Sequence, residues 1–280
     1  MHLTDVIPQN ATQKLIKERV LILNPPEPIQ ESVRATFAVA APFFQESLEL
    51  KSRCSFPQDM GYRPIGGEYS QSSSFPDQLE SFSLSARVPI PLSELPSANA
   101  RVLYEQMSAT FDILEPLAEA LTIKFASELS HRQIDEKLYG TLRDWSRLQL
   151  NYSRPAEVSV PFVNAFHEDL NLLTINFANE PGLEVGITED EVMEVMRMAG
   201  EAVVLPGEIA WLLSGGQIKP LYHRVRADPQ IRERLALLFF ADPDPRVCQP
   251  WIANEINRDV DIGARVRTNV HRFGLQGFMD

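Results

Sequence analysis

The chain of 280 residues is long enough for one substantial hydrophobic core, and its 44% hydrophobic and 23% charged residues are ordinary for a globular protein. Its formal charge of −12 at pH 7 argues against nucleic acid or an anionic membrane as the main partner, because both attract basic surfaces. No segment has the length of apolar sequence that a membrane-spanning helix needs. A small-molecule substrate is the class of partner that stays open.

Two cysteines, Cys54 and Cys248, lack the spacing of a metal site. Two free thiols in a reducing compartment are the simplest interpretation, and a disulfide between them is the alternative. The N-terminal sequence lacks the basic stretch and the apolar run of a signal peptide. We therefore expect a cytoplasmic protein, and the sequence makes no prediction of its oligomeric state.

The first part of the chain is predicted to be mostly helical. Apolar residues at helical spacing predict helices within 11–22 and 27–50, and the longest helical pattern covers 97–130. Pro116 is expected to kink or divide that long helix, because proline removes a backbone donor. A further short helix is predicted over 131–139.

Residues 52–98 differ from these segments because they are rich in Ser, Pro and Gly, which predicts a long loop. Aromatic residues that would be exposed are interleaved in it: Phe56, Tyr62, Tyr69 and Phe75. Long loops in compact domains often close over a binding site. A lid is therefore one interpretation, and an ordinary surface loop is the other.

From about residue 145 the pattern changes to short apolar runs separated by turn residues. These runs predict strands at 145–152, 158–164, 170–178, 183–187, 193–198, 201–205, 208–213, 220–226 and 233–240. A helical part followed by many short strands predicts an α+β fold whose second half is an antiparallel sandwich or jelly roll.

The segment His167-Glu168-Asp169 carries the pattern that points to chemistry. In a strand, residues i and i+2 face the same side, so His167 and Asp169 would project together and Glu168 would point away. His223, in a later predicted strand, could supply a third ligand. Two histidines and one carboxylate leave three open positions on an octahedral iron(II), enough for dioxygen and a chelating cosubstrate. The alternative is a surface pair or hydrogen-bonded core histidines, which a His-X-Asp triplet alone more often indicates.

The run from His167 to Thr174 resembles the first metal-ligand strand of the iron(II)/2-oxoglutarate dioxygenases, in their isopenicillin N synthase-like branch. Other segments resemble that family in the same order along the chain: Gly61-Tyr62, Pro76 to Phe82, Gly182 to Val185, Ala202 to Glu208, Ser214 to Gly216, His223 to Val225, and Arg234 to Pro243. An ordered set of matches is far more specific than any one motif.

The resemblance implies a double-stranded β-helix, or jelly roll, with N-terminal helices packed against it. It implies that His167, Asp169 and His223 hold Fe(II), with 2-oxoglutarate as cosubstrate and O2 as oxidant. It also implies that Arg234 pairs with the distal carboxylate of 2-oxoglutarate, a role that suits a guanidinium because it binds carboxylates bidentately and keeps its charge when buried. Its neighbour Arg232 is the competitor, and the spacing to the following apolar residues favours Arg234.

Two positions depart from the family pattern around the cosubstrate. Ala236 stands where the family usually has Ser, and Asn151 is followed at the next inward position by Ser153 instead of Tyr. Asn151 stays a candidate cosubstrate ligand. Because two hydroxyl donors are missing or replaced, an oxidase or cyclase that does not use 2-oxoglutarate is the first alternative function.

The predicted organisation is a single oxygenase domain over 1–280, helical over 1–145 and a jelly roll over 145–245. The remaining segment, 246–280, is expected to form a helix that closes the barrel mouth, with a solvated tail as the alternative.

The resemblance implies oxidation of a small metabolite, in specialised metabolism, by hydroxylation, desaturation or ring closure. Asp169 argues against halogenation, because a carboxylate at that position opens no halide site. The second alternative function is a non-catalytic jelly-roll binding protein.

Overall fold

The computed structural model describes residues 6–130 and 142–278, which contain six α-helices and twelve strands. The helices are α1 (Ala11–Glu18), α2 (Glu27–Phe44), α3 (Leu48–Ser52), α4 (Ala98–Ser130), α5 (Glu208–Leu213) and α6 (Ile262–Thr268). The strands are β1 (Leu21–Leu23), β2 (Ser55–Phe56), β3 (Met60–Arg63), β4 (Glu80–Leu84), β5 (Arg147–Ser153), β6 (Phe162–His167), β7 (Leu173–Ala178), β8 (Leu183–Gly186), β9 (Val192–Glu194), β10 (Ala202–Pro206), β11 (Tyr222–Arg226) and β12 (Arg234–Ala241).

The strands form two antiparallel sheets, one of eight strands and one of four. The order is β1-β10-β7-β12-β5-β4-β3-β2 in the large sheet and β6-β11-β8-β9 in the small one. From β5 onward the chain crosses repeatedly between the sheets, so that strands adjacent in the sequence often lie in different sheets. This alternation is the double-stranded β-helix, and the predicted jelly roll is confirmed.

Helices α2 and α4 pack together and against the large sheet through aromatic contacts. Phe44 of α2 stacks on Tyr152 of β5 with ring centroids 4.8 Å apart, and Phe111 of α4 lies 5.1 Å from Phe239 of β12. Helix α4 follows the predicted long helix and is continuous through Pro116, so the predicted division is absent. Within residues 6–130 and 142–278, no helix combines the length and apolarity needed to cross a membrane.

The prediction of one long loop over 52–98 was wrong in part. Three strands lie inside this range and pair on to the edge of the large sheet, where β4 is hydrogen-bonded to β5. Tyr62 and Phe82 are therefore buried, with Tyr62 only 1% exposed. Small Ser and Gly residues hide the strand alternation in the sequence, and tertiary pairing overrides the weak local preference. Within 52–98 the longest connecting loop is 64–79, between β3 and β4. Phe75 in this loop is exposed.

The predicted strand over 208–213 was also wrong, because this segment forms helix α5. An apolar run of six residues is too short for its pattern to separate a strand from a helix. The predicted helix over 27–50 is interrupted, since Ser47 caps a new helix through a hydrogen bond from the backbone N of Leu50 to its Oγ at 3.3 Å. The predicted helix over 131–139 lies outside the described residues.

A buried ion pair ties the N-terminal helices to the strands that the sequence did not predict. Lys51 of α3 and Glu80 of β4 form a salt bridge with side chains only 7% and 12% exposed. The hydroxyl of Tyr62 donates to the same Glu80 carboxylate, and Lys51 Nζ also donates to the carbonyl oxygen of Phe44 at 2.8 Å. The charged pair is thus surrounded by hydrogen-bond partners, as a buried pair requires.

We expect Lys51→Met to lower the free energy of unfolding by about 3–5 kcal/mol, because it leaves the Glu80 carboxylate buried without its cation. Urea denaturation measures this change. The matched control is Arg34→Met, which removes an exposed pair with Glu27 whose side chains are 55% and 62% exposed. That control should cost less than about 1 kcal/mol. Equal losses from both variants would contradict a stabilising role of the buried pair.

Candidate metal centre

Three potential metal ligands converge where the chain passes from the small sheet to the large sheet. His167 at the end of β6 and His223 on β11 are directly paired in the small sheet. The Nε2 atoms of both histidines lie 3.8 Å from Oδ1 of Asp169, and one donor atom from each of the three residues lies within 4.8 Å of the others. Such spacing suits three donors of one metal ion, each about 2 Å from it.

Asp169 lies close to the two histidines, but not because it shares a strand face with His167, as the sequence predicted. Strand β6 ends at His167, so Asp169 lies in the connection between β6 and β7 and does not share a strand face with His167. Glu168 does point elsewhere, with its carboxylate 3.5 Å from the Arg272 guanidinium. The two ligands come together because the chain turns between the sheets at this point.

Close backbone packing holds this turn in place. The backbone N of Glu208 donates to the carbonyl oxygen of Asp169 at 3.0 Å. A Cβ atom at Gly207 would lie 2.2 Å from the carbonyl oxygen of Asn171 and 2.8 Å from that of Asp169, which leaves space only for glycine. The Gly-Glu turn before α5 thus fixes the position of Asp169.

Hydrogen bonds orient the imidazole rings so that their Nε2 atoms face Asp169. Nδ1 of His167 lies 2.7 Å from the carbonyl oxygen of Ala165, and Nδ1 of His223 lies 3.4 Å from that of Leu221. A carbonyl oxygen only accepts, so Nδ1 carries the proton and Nε2 keeps its lone pair. Burial, followed by the nearby His223, lowers the pKa of His167, and the neutral imidazole is the form that binds metals.

The Asp169 carboxylate is oriented by a hydroxyl from the large sheet. Thr174, the second residue of β7, donates its Oγ1 proton to Oδ2 of Asp169 at 2.5 Å. Oδ1 is the oxygen that faces both histidines. The carboxylate is 7% exposed, so this hydrogen bond forms in a largely dry environment, where it is stronger than in water.

The three residues open into a cavity between the sheets. One wall is the inward face of β5 and β12, where alternate residues line the cavity: Arg147, Gln149 and Asn151 on β5, and Arg234, Ala236, Leu238 and Phe240 on β12. Asn176 of β7 continues this wall, and Glu68, Tyr69, Ser70 and Asp77 of the 64–79 loop also contribute. A lid role for the 52–98 segment stays a prediction, now limited to this loop.

Arg234 lies in this cavity, as expected of a cosubstrate ligand. Its side chain is buried, its Nε donates to the carbonyl oxygen of Pro181 at 2.9 Å, and no carboxylate in the described ranges forms a salt bridge with it. Burial, reinforced by nearby Arg197, lowers the pKa of Arg234 to about 10. The competitor Arg232 is exposed and does not line the cavity.

The predicted candidate Asn151 also faces the cavity, directly opposite Ala236 in the pairing of β5 with β12. Its Oδ1 accepts a hydrogen bond from Gln149 Nε2 at 2.8 Å, which leaves its Nδ2 protons available to a ligand. Ser153 pairs with Arg234 along the same strands but is not among the residues that line the cavity.

The C-terminal segment, from residue 246 onward, forms another part of the cavity wall. It contains α6 and a tight helical turn over Asn269–Phe273, in agreement with the expected helix at the barrel mouth. Residues from this segment line the cavity: Val266, Arg267, Asn269, Val270, Phe273, Leu275, Gly277 and Phe278. The segment is attached by its backbone, because the N atoms of Gln276 and Gly277 donate to Oδ2 of Asp59 at 2.6 and 3.2 Å.

Several residues of this cavity were missed by sequence reasoning. Trp145 precedes β5 and Asp242 follows β12, at the same end of this antiparallel pair, and Arg147 is the first residue of β5. Strand alternation from Asn151 could have found Arg147, since the two positions share a strand face. No local pattern relates the C-terminal residues to the cavity.

Comparisons with known proteins relate this architecture to one superfamily. Residues 145–243 match the model of the 2OG-Fe(II) oxygenase superfamily. The 2-oxoglutarate-dependent dioxygenase AOP2 of Arabidopsis thaliana is 34% identical over 80 residues, which is 28% of this chain and 18% of that protein. A second Arabidopsis AOP2 sequence, described as a probable inactive dioxygenase, matches equally over 80 residues, 20% of its length. The matched part of this chain thus spans about a fifth of these curated relatives.

Solved structures share the fold over nearly the whole chain. A full-length Neurospora crassa protein in complex with alpha-KG superposes with a TM-score of 0.71 at 17% identity, over 92% of this chain and 90% of that one. JOX2 in complex with 2OG, Fe and JA gives 0.67 at 17% identity, over 87% and 74%. The rice dioxygenase for auxin oxidation gives 0.63 at 20% identity, over 85% and 81%. These likenesses show that the chain shares the fold of these structures, and residues 145–243 within it match the model of the 2OG-Fe(II) oxygenase superfamily.

Proposed function

We propose that this protein is an Fe(II)- and 2-oxoglutarate-dependent dioxygenase that oxidises a small organic molecule. The observation that carries the proposal is the convergence of two imidazole Nε2 atoms and one carboxylate oxygen in a cavity that also contains a buried guanidinium. A structural cluster of histidines would not need an adjoining cavity with an uncompensated positive charge.

His167, Asp169 and His223 would hold the iron, because a facial set of two histidines and one carboxylate suits Fe(II) and leaves positions open for other ligands. When bound, the iron supplies oxidative chemistry in which O2 is reduced while 2-oxoglutarate is decarboxylated to succinate and the substrate is oxidised. The protein orients the ligands through the Ala165 carbonyl and the Thr174 hydroxyl.

Arg234 would bind the distal carboxylate of 2-oxoglutarate. A buried guanidinium without a carboxylate partner is costly unless a ligand supplies the negative charge. Its pKa of about 10 keeps it charged at neutral pH. The Nδ2 group of Asn151, opposite Ala236, is a donor that would take over from the family's serine hydroxyl, absent at Ala236, and from its tyrosine phenol, replaced by Ser153.

The finer features of the function rest on the resemblance in the sequence. Hydroxylation, desaturation or ring closure of a specialised metabolite fits a site in which Asp169 occupies the carboxylate position. The isopenicillin N synthase-like branch is the proposed subgroup. The complexes of JOX2 with JA and of the Neurospora crassa protein with alpha-KG support a small organic substrate and a 2-oxoglutarate cosubstrate.

Anaerobic titration of the protein with Fe(II) and 2-oxoglutarate tests the proposal. We expect a weak visible charge-transfer band that His167→Ala abolishes, because this change removes a ligand. Arg234→Gln should weaken 2-oxoglutarate binding by at least about 30-fold, since truncating one partner of a buried charge pair costs about 2 kcal/mol or more. Arg232→Gln is the charge-matched control and should leave the affinity unchanged.

Absence of both the band and bound iron in the wild-type protein would overturn the oxygenase proposal in favour of a non-catalytic jelly-roll binding protein. An unchanged 2-oxoglutarate affinity in Arg234→Gln would remove Arg234 from the cosubstrate site and leave the iron assignment intact.

The second candidate function is an iron oxidase or cyclase that does not use 2-oxoglutarate. The observation that favours it is the absence of a serine hydroxyl at Ala236 and of a tyrosine phenol at position 153, where Ser153 does not line the cavity. Reaction stoichiometry separates the two functions for any substrate that is turned over. Succinate formed in step with product supports the dioxygenase, whereas turnover that is unaffected by omission of 2-oxoglutarate supports the oxidase.

Thr174→Val should weaken Fe(II) binding by about 10–100-fold, because loss of a hydrogen bond to a ligand carboxylate costs that much in metal sites. Competition with a coloured chelator under anaerobic conditions measures the affinity. Thr122→Val is the matched control, since Thr122 is equally buried but its hydroxyl donates to the Ala118 carbonyl oxygen within α4. Iron affinity that is the same in both variants would show that the Thr174 hydroxyl does not support the ligand.

A further inference from the structure

A second buried guanidinium lies in the cavity, and the proposed reaction does not use it. Arg147 is 5% exposed and lines the cavity at the start of β5. Its Nη1 has no hydrogen-bond partner in residues 6–130 and 142–278, and its Nη2 has a long contact of 3.4 Å with the carbonyl oxygen of Gln58. A buried guanidinium nitrogen that lines a cavity and has no partner in the described chain is available to a ligand.

The charges around Arg147 do not neutralise it. The nearby carboxylates are those of Asp59, Glu68 and Asp242, and none of them forms a salt bridge with Arg147 within the described chain. Arg63 adds a like charge. Desolvation, followed by this repulsion, lowers the pKa of Arg147 to about 10, so the group is still charged at neutral pH.

Asp242, which shares this end of the cavity, does not oppose an incoming anion. Burial raises the pKa of Asp242 to about 8, so the carboxyl group is mostly protonated at neutral pH. Its Oδ2 accepts a hydrogen bond from Asn269 Nδ2 at 3.0 Å, and its Oδ1 has no partner in the described residues.

Strand register places Arg147 close to the metal centre. Thr174, Phe240 and Arg147 are direct register partners across β7, β12 and β5. Neighbouring strands lie about 4.8 Å apart, so the backbones of Thr174 and Arg147 are about 10 Å apart. Thr174 is hydrogen-bonded to Asp169, a ligand of the proposed iron. A single small molecule is therefore long enough to extend from Arg147 to the iron.

The same register separates Arg147 from the cosubstrate arginine. Arg234 pairs with Ser153, which is six residues beyond Arg147 on β5. Six residues of a strand span about 20 Å. This backbone separation is much longer than a small dicarboxylate. The two arginines therefore require two different anionic groups.

A second unpartnered donor lies beside Arg147. Trp145 is 3% exposed and lines the cavity, and its Nε1 has no hydrogen-bond partner in the described residues. Both side chains rest on the ring of Phe278, at 5.9 Å for Trp145 and 5.4 Å for Arg147. A cation and a neutral N–H donor thus flank an aromatic surface, which suits an acid group attached to an apolar body.

We propose that Arg147 binds a carboxylate of the oxidised substrate, so that the substrates of this protein are apolar or aromatic organic acids. The acid group would lie against Arg147 and Trp145, and the apolar body would pack on Phe278 and Phe273 toward the metal centre. This inference rests on the proposed dioxygenase function, because it presumes that the cavity receives both a cosubstrate and a substrate.

Matched pairs of acids and amides test the inference. The probes are 3-phenylpropionate and octanoate, each beside its uncharged amide of nearly the same shape. They are titrated anaerobically into protein that already contains Fe(II) and 2-oxoglutarate. Binding is followed by the change in the visible charge-transfer band and by tryptophan fluorescence, to which Trp145 contributes. We expect each acid to bind at least about tenfold more tightly than its amide, since charge-assisted hydrogen bonds are about twice as strong as neutral ones.

Arg147→Gln should abolish the preference for acids, and Arg147→Lys should retain part of it, because lysine keeps the charge but loses the bidentate geometry. Both variants should keep the charge-transfer band, which reports the iron and 2-oxoglutarate sites. Arg267→Gln is the matched control, because Arg267 also lines the cavity but is only half-buried. Thermal unfolding of each variant shows whether it is folded.

Three results would overturn the inference while leaving the proposed function intact. The first is that the acids bind no better than the amides, or do not bind at millimolar concentration. The others are that the preference for acids survives in Arg147→Gln, or that it is lost in Arg267→Gln instead. Loss of the charge-transfer band in Arg147→Gln would also overturn it, because Arg147 would then serve the cosubstrate. Failure of the wild-type protein to form the band is the separate result that rejects the dioxygenase proposal.

Discussion

The pairing of β6 with β11 is the constraint on which the rest of the site depends. It sets His167 directly opposite His223, and the end of β6 at His167 forces the chain to cross to the large sheet at once. Asp169 lies on that crossing. A one-residue change of register would turn a histidine to the other side of the sheet and separate the donor atoms. The metal centre is therefore a property of sheet register and of one turn, while helices α2 and α4 support the large sheet.

The cavity shows how an acidic protein can bury positive charge. The chain carries a formal charge of −12, yet the inward face of β5 and β12 holds two buried arginines, one near each end. A guanidinium keeps its proton in such a site, whereas a buried lysine or histidine would tend to lose its charge. The local field at a site is thus set by the few buried charges that line it, and the net charge of the chain gives no indication of it.

The sequence predicted the parts of this structure that depend on local pattern or on ordered motifs. The jelly roll, the long helix and the convergence of His167, Asp169 and His223 were found in this way. The physical reason given for Asp169 was wrong, because strand alternation does not extend past the end of β6. Strands β3 and β4 were missed because small residues hide their alternation, and helix α5 was missed because six residues are too few to show a helical period.

The end of the cavity around Arg147 was beyond sequence reasoning for a different reason. Arg147 and Phe278 contact each other from positions more than a hundred residues apart, and no short motif marks such a pair. Contacts of this kind follow from the closure of the barrel by the C-terminal segment. The sheet register that brings Arg147 to the level of Thr174 likewise becomes visible only when three strands are paired.

The attachment of the C-terminal segment has an evolutionary consequence. Two backbone N–H groups of Gln276 and Gly277 hold this wall to the Asp59 carboxylate, and backbone donors are present whatever the side chains are. Substitutions in the last residues of the chain can therefore reshape the space for the substrate without loosening the anchor or disturbing the metal ligands. Related proteins could diverge in what they accept by exchanging this wall alone, while the sheets that position the chemistry remain under the constraint of register.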